Sequence, residues 1–560
     1  MKVKPAESQI RAAADFIIGR AGCAEMAAYY ADVLERLVAC DTTPSGDVAE
    51  MARREAACFD VVTGELTRWM PEGGAIERVP IRPEIRKHPY FTRIHHTVSA
   101  ARPDGLSPSE AYANRFNVFA IMPGRPDSGP GMIYNAHIDT VAPHIPPRRE
   151  GRRICGRGAC DDKGSVALLI AQLRLLAETE RETGIRITAP RVYQFVIEEE
   201  TGGNGSLSAA LDPRFNGFQA LVHECAGNTP HPANRGAVWY KLVLRRNGQQ
   251  VDLVRAAAET VLAMEAEGRL IKSESAHPLF KPHHVQTCHG IIGPFGRHPS
   301  SVNDFVALRI SGLGRAGLES AVGKAVAEYC AEYGDKTRET DPKTGLPKVP
   351  AHWEIEDADG DLLLKVHGKA GHMGAIHLCD CAIIKSAFII RGVHASGGCG
   401  VRVHLDGTSP DVEELVLEGG QGFVPTHGIE EIMRRQSRAA RGSVESFCRR
   451  GGVAFATEMA VVTFDKLHNN AYASPVDCPL MRAMESAFRL TGKSWPKVCG
   501  WDVSCDARIF AGEGRDTVVF GPGALALAHS DGECINLDEA CEALAIDTVA
   551  AFLLGTGAVS

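Results

Sequence analysis

The order of apolar and polar positions divides the chain into three stretches. In the first, strand-length apolar runs alternate with helical patterns. RFNVFAIMPG (115–124) and GMIYNAHIDT (131–140) are apolar runs bounded by glycine or proline, which predicts buried strands. GSVALLIAQLRLLAETERETG (164–184) repeats its apolar positions every three to four residues and stops at a glycine, as a helix does. RVYQFVIEEE (191–200) and FQALVHEC (218–225) are strand-like again. Strands alternating with helices predict an α/β sheet covered on both faces. The last stretch resumes this style, with helix in SPVDCPLMRAMESAFRLTG (474–492), strand in DTVVFGPG (516–523) and helix in LDEACEALAIDTVAAFLL (537–554).

The middle stretch has a different order. VWYKLVLRR (strand), VDLVRAAAETVLAMEAEG (helix), TCHGIIGPF and NDFVALRIS (strands) and ESAVGKAVAEYCAEYG (helix) form one series. DLLLKVHGK (strand), CDCAIIKSAFIIRG (helix), GVRVHLDG or ELVLEGG (strand), GIEEIMRRQSRAARGSVESFCRR (helix) and EMAVVTFDK (strand) form a second. The two series share an order of elements rather than residues, so an α+β insertion of two similar halves is expected. The polar, proline- and glycine-punctuated YGDKTRETDPKTGLPKVP would join them. The expected domains are 1–239 and 465–560, two parts of one catalytic domain, with 240–464 inserted as halves 240–350 and 351–464.

Composition narrows the function classes. At 560 residues the chain needs more than one core. Hydrophobic residues at 44% and charged residues at 23% are an ordinary globular mix. A net charge of −8, from 61 basic and 69 acidic residues, argues against general nucleic-acid binding. No apolar run reaches the roughly 18 residues of a membrane span. The first residues lack the apolar core of a signal peptide, and 17 cysteines show no recurring CxxC pair, so reduced thiols in a cytoplasm are expected.

Candidate chemistry gathers at predicted strand ends. NAHIDTVAPH supplies His137 and Asp139; GRGACDDKG supplies Asp161; EEETGG supplies Glu199 and Glu200; VHECAG supplies Glu224; ALAHSDGE supplies His529. Imidazole together with carboxylate suits zinc, manganese or cobalt, whereas calcium sites are built from oxygen ligands. Ligands of open α/β sheets lie beyond the carboxyl ends of the strands, where these residues fall.

HxDxV, GRGxxDxKG and EExGG in this order resemble the co-catalytic zinc aminoacylase/carboxypeptidase family, which includes acetylornithine deacetylase, succinyl-diaminopimelate desuccinylase, glutamate carboxypeptidase and carnosinase-like dipeptidases. The resemblance implies a zinc-exopeptidase-like mixed sheet flanked by helices, with an inserted α+β lid. It implies two divalent ions, zinc before cobalt or manganese. His137 and Glu224 would bind one ion, Glu200 and His529 the other, and Asp161 both. Glu199 would be the general base and Asp139 would orient His137. It also implies a cis peptide bond after Asp161. VHGKAGHMG matches the lid motif whose histidine, here His372, stabilises an oxyanion, although Ile376 stands where the family often has proline. GRHPSSVNDFVALRIS resembles the family segment that would make Arg309 a clamp for a substrate carboxylate, with Gly296 in place of asparagine. A duplicated lid would deliver His372 within one chain, so catalysis would not require a dimer. The expected reaction is hydrolysis of a peptide or N-acyl bond next to a carboxylate. The alternatives are deacylation of an N-acyl amino acid, cleavage of another C–N bond, or a silent binding homologue. The substrate would be a small peptide or N-acyl amino acid, with no nucleic acid or membrane partner. Glu198 has no role in this scheme.

Overall fold

The computed structural model describes residues 5–125, 128, 130–340, 345–397, 400–464 and 468–558, leaving aside the side chains of His372, Ala375 and His468. The chain divides into two compact units, Met1–Asn234 with Tyr472–Ser560, and Arg235–Ala471.

The first unit begins with helices α1 (Glu7–Ala21), α2 (Ala24–Val38) and α3 (Val48–Trp69). Asp47 caps α3 by accepting the N–H groups of Ala49 and Glu50. Strands β1 (Ala75–Pro80), β2 (Phe116–Met122) and β3 (Met132–His137) follow. Helix α4 (Lys163–Thr183) then leads to β4 (Arg191–Val196) and β5 (Gln219–His223).

The inserted unit carries β6 (Gly236–Arg245), α5 (Leu253–Glu274), β7 (Gln286–Ile292), β8 (Phe305–Ser311) and α6 (Arg315–Tyr333). It continues with β9 (Trp353–Ala358), β10 (Asp361–His367), α7 (Ala382–Gly397) and β11 (Arg402–Leu405). It ends with β12 (Glu414–Phe423), α8 (Ile429–Arg450) and β13 (Ala460–Thr463). The chain then returns to the first unit through α9 (Pro479–Leu490), β14 (Thr517–Phe520) and α10 (Leu537–Gly555).

The main sheet of the first unit has the order β1-β2-β4-β3-β5-β14. Strands β4, β3, β5 and β14 are parallel neighbours, and β1 and β2 add an antiparallel edge. Every residue of β3, β4, β5 and β14 is buried. Successive side chains of a strand point to opposite faces, so both faces are covered, as the continuous apolar runs predict. The parallel arrangement brings four strand ends to one edge of the sheet. A small three-stranded sheet, in which Cys534–Asn536 pairs with Arg153–Cys155, ties the loop after β14 to the loop before α4.

The inserted unit holds a five-stranded antiparallel sheet, whose fifth strand, His468–Asn469, also pairs with β6, and a four-stranded one. One has the order β7-β12-β6-β13 and the other β9-β10-β8-β11. Numbered along the chain, both orders are 2-3-1-4, and the second lies wholly between β7 and β12. Pairing crosses the expected boundary at 350: β6 and β7 pair with β12, and β8 pairs with β10. The two sheets are nested, not tandem. GVRVHLDG and ELVLEGG, weighed above as alternatives, are both strands, β11 and β12, in different sheets. Among the described residues no helix is long and apolar enough to cross a membrane.

Candidate metal centre

His137 ends β3, and its Nδ1 lies 3.0 Å from the carbonyl oxygen of Asp139. A carbonyl only accepts, so Nδ1 donates and Nε2 faces the acidic side chains. That Nε2 is 3.2 Å from Asp161 Oδ1 and 4.0 Å from Glu224 Oε1. On the other side, His529 Nε2 is 3.1 Å from Asp161 Oδ2 and 3.0 Å from Glu200 Oε1. The two oxygens of one carboxylate are thus divided between two histidines. His137, Asp161 and Glu224 form one group whose ligating atoms lie within 4.8 Å of one another, and Asp161, Glu200 and His529 form a second. The peptide bond between Asp161 and Asp162 is cis.

Without cations these side chains strain against one another electrostatically. Burial pushes the carboxyls of Glu224 and Glu200 up, and the charge of Asp161 pushes them further. Burial opposes the charged form of His529, yet the hydrogen bonds it donates to Asp161 and Glu200 lift it to about 11. Burial also opposes charge on His137, and Asp139 and Asp161 overcome it and hold its pKa well above the ordinary value. Two imidazoles and three carboxylates, one split between the groups, are a donor set that fits two divalent ions of the zinc, cobalt or manganese type.

The surrounding backbone is held by further carboxylates. Asp139 accepts the amide of Glu199 on Oδ1 at 3.1 Å and that of Glu200 on Oδ2 at 3.0 Å, and its Oδ1 lies 3.4 Å from His137 Nδ1. It therefore steadies the two glutamates as well as the histidine. Glu533, 1% exposed, accepts the amides of Gly158, Cys160 and Asp161 on Oε1 at 2.9, 3.1 and 3.1 Å. Its Oε2 accepts Arg157 Nη1 at 2.7 Å, and Arg157 also donates to the carbonyls of Pro143, Ser530 and His529. This pair joins the loop that carries Asp161 to the loop that carries His529. Gly203, at φ +82°, sits where a Cβ would run into Asp506 Oδ1, which is why the turn after the glutamates takes glycine. Glu199 is partly buried, and burial together with Asp506 and Glu200 raises its carboxyl well above the ordinary range.

The remaining expected residues lie in the inserted unit. Arg309, on β8, directs Nε to Asp406 Oδ1 at 2.6 Å, so its guanidinium already has an internal carboxylate partner. The backbone of His372 pairs with Ser301, and its side chain lies outside the described residues. Cys330, Asp335 and His352 also bring ligand-type atoms together. There Lys385 Nζ stands 3.1 Å from His352 Nδ1 and 2.6 Å from Asp380 Oδ2. An ammonium only donates, so Nδ1 accepts and the proton sits on Nε2, the nitrogen facing Asp335 at 3.0 Å. A protonated Nε2 is not a ligand, and this group is a hydrogen-bonded anchor.

The roles of Glu533, Arg157 and Glu198 are not marked by any of the sequence motifs above. Glu533 stands four residues after His529, and Arg157 lies inside GRGxxDxKG. A buried charge adjoining a ligand motif is the signal that points to both.

Known proteins resemble this chain. The family model described as Peptidase family M20/M25/M40 matches residues 133–554. A probable carboxypeptidase of Aspergillus terreus is 36% identical over 144 residues, which are 24% of this chain and 31% of that protein's length. Human carnosine dipeptidase 1 superposes with a TM-score of 0.51 at 13% identity, over 97% of this chain and 100% of the other. The dipeptidase Dug1p of Saccharomyces cerevisiae gives 0.53 at 11% identity, over 99% of both chains. At such identities the structural likeness is one of fold. The family match spans three quarters of the chain and contains both ligand groups, and on that ground the chain belongs to Peptidase family M20/M25/M40.

Proposed function

We propose that this chain is a metal-dependent hydrolase that cleaves a peptide bond in a small peptide next to a carboxylate, as a dipeptidase or carboxypeptidase does. The observation that carries the reading is the Asp161 carboxylate, shared at 3.2 and 3.1 Å between His137 and His529. The names of its relatives, a probable carboxypeptidase and two dipeptidases, support the same substrate class.

In this reading His137, Asp161 and Glu224 hold one ion, and Asp161, Glu200 and His529 hold the other. Bound there, divalent ions supply Lewis acidity toward the scissile carbonyl and acidify the attacking water. Glu199 is left without an ion, within electrostatic reach of His137 and Glu200. One carboxylate oxygen of Glu199 takes a proton from water as the new C–O bond forms. The same oxygen delivers that proton to the amine nitrogen as the C–N bond breaks. Asp139 keeps Glu199 in register through its backbone amide. His372 serves the developing oxyanion by the resemblance of its motif. Arg309 keeps its two Nη groups for a substrate carboxylate while Asp406 holds its Nε.

The test is ion-stripped protein reloaded with zinc and screened by mass spectrometry against dipeptides, longer peptides and N-acyl amino acids. Wild type is expected to bind two ions and release C-terminal amino acids. Glu199→Gln should keep both ions and lose about 10²- to 10⁴-fold in kcat, the usual worth of a general base. A wild type without ions, or an undiminished Glu199→Gln, would end the proposal. Turnover confined to N-acyl amino acids would replace it with deacylation.

A further inference from the structure

Three carboxylates follow β4, and the chemistry above uses two. The third, Glu198, is 2% exposed. Its φ is +65°, in the left-handed region that a residue other than glycine keeps only when its surroundings hold it there. Glycine does not occupy this position, although two glycines stand four and five residues on. Something about the side chain is therefore worth the unfavourable backbone.

The side chain is fastened at both oxygens. Oε1 accepts Arg115 Nη1 at 2.6 Å, and Oε2 accepts the Tyr112 hydroxyl at 2.5 Å. His96 Nε2 lies 3.7 Å from Oε1. The remaining edge of the Arg115 guanidinium forks onto Glu55 of α3, with Nε to Oε2 at 2.9 Å and Nη2 to Oε1 at 2.6 Å. One fully buried guanidinium thus ties the end of β4 to helix α3. Tyr112 in turn accepts from Asn204 Nδ2 at 2.8 Å, and Asn204 starts the short helix Asn204–Ala210 beyond the glycines. The carbonyl of Glu198 accepts the amide of Gly203 at 2.7 Å. Both ends of the loop 198–204 are therefore closed on the same anchor.

On a straight strand Glu198 and Glu200 would share a face and Glu199 would point away. The left-handed residue breaks that alternation. The next two amides then turn to Asp139, and Glu200 Oε1 comes to 3.0 Å from His529 Nε2.

We infer that Glu198 is a positioning residue: locked by Arg115 and Tyr112, it holds the kink that presents Glu200 to the His529 group and leaves Glu199 beside it. The inference rests on the metal-hydrolase reading, and it makes an asymmetric demand. Glu200 belongs to only one of the two ligand groups, so loss of the anchor should weaken one ion and spare the other.

The experiment is stepwise zinc titration of ion-stripped protein by calorimetry and native mass spectrometry, with steady-state kinetics alongside. Wild type comes first: if it binds no ion, the metal reading itself fails and the anchor is not at issue. Glu198→Gly tolerates the positive φ but removes the anchor. It should weaken one binding step about 10- to 100-fold, leave the other within about threefold, and lower kcat more than it changes KM. His529→Ala identifies the affected step, because it disables the same group. Tyr112→Phe keeps the ring in the core and removes one donor, and it should show the same asymmetry at smaller size even if Glu198→Gly fails to fold. Unchanged steps and kcat in folded variants would overturn the inference. Equal weakening of both steps would overturn it too, since that is what general destabilisation produces.

Discussion

Replacing Glu533 by glutamine tests whether the loop carrying Asp161 is held by a single buried carboxylate. The wild-type side chain accepts three backbone amides on one oxygen and Arg157 on the other. Glutamine keeps the volume but retains only one accepting oxygen. If that oxygen faces Arg157, three buried amides lose their acceptor, at about 1–3 kcal/mol each. If it faces the amides, Arg157 loses one charge-assisted hydrogen bond, about 1.5–3 kcal/mol, and meets an NH2 donor. The second orientation costs less and is the one expected. Arg157 keeps the carbonyls of Pro143, Ser530 and His529, so the full penalty of about 3–5 kcal/mol for breaking a buried ion pair is softened. The expected destabilisation is about 2–4 kcal/mol. In urea unfolding of the zinc-free protein, with a slope of about 3 kcal/mol per molar, this moves the midpoint of the first-unit transition down by about 1 M. Because Asp161 belongs to both ligand groups, both zinc-binding steps should weaken, in contrast to Glu198→Gly. Arg157→Gln should be strongly non-additive with Glu533→Gln, since the two remove one shared bond. A midpoint shift below about 0.2 M, or simple additivity, would refute the reasoning.

Ion binding should depend on pH with a defined sign. Burial disfavours the charge of His529, but Asp161 and Glu200 lift its pKa in the ion-free protein to about 11, against about 6.5 when unfolded. Its contribution to ion-free stability is therefore complete below pH 6.5 and fades as pH rises through 11, measurable by thermal unfolding with chelator. An ion must expel that proton, so affinity at this group should climb about tenfold per pH unit from 7 to 9, and calorimetry showing a flat affinity would contradict it. His372→Ala should reduce kcat about 10²-fold with both zinc steps intact, as loss of an oxyanion donor does, and an effect on KM alone would remove that role. Cys330→Ser should leave the stoichiometry at two ions; a third ion in wild type that this variant loses would show that the Lys385 argument is wrong.

The candidate site was legible because its residues sit where local pattern already marks an ending. His137, Glu200 and Glu224 stand at the ends of largely apolar runs, and each run proved to be a parallel strand whose carboxyl end lies at one sheet edge. Helix α1 was not announced in this way. It buries Ala13, Ala14, Ile17 and Ala21, small residues that contrast weakly with its polar side. The nesting of the inserted sheets was hidden for another reason. Every antiparallel strand has the same period, and nothing within β12 states that it pairs with β6 and β7, over a hundred residues earlier, instead of with its neighbours in sequence. The Nε contact of Arg309 with Asp406, 97 residues away, was equally out of reach of local pattern.

The sequence by itself determined which residue types stand at the strand ends, and hence the class of chemistry, because ligand identity and periodicity are local properties of the chain. Only the tertiary structure decided how those residues are held. Arg115 meets Glu55 and Glu198 across 60 and 83 residues, and Glu533 reaches Asp161 across 372. Such partners meet only once the sheet and helices have packed, because a buried charge is tolerable only where folding supplies its counterpart.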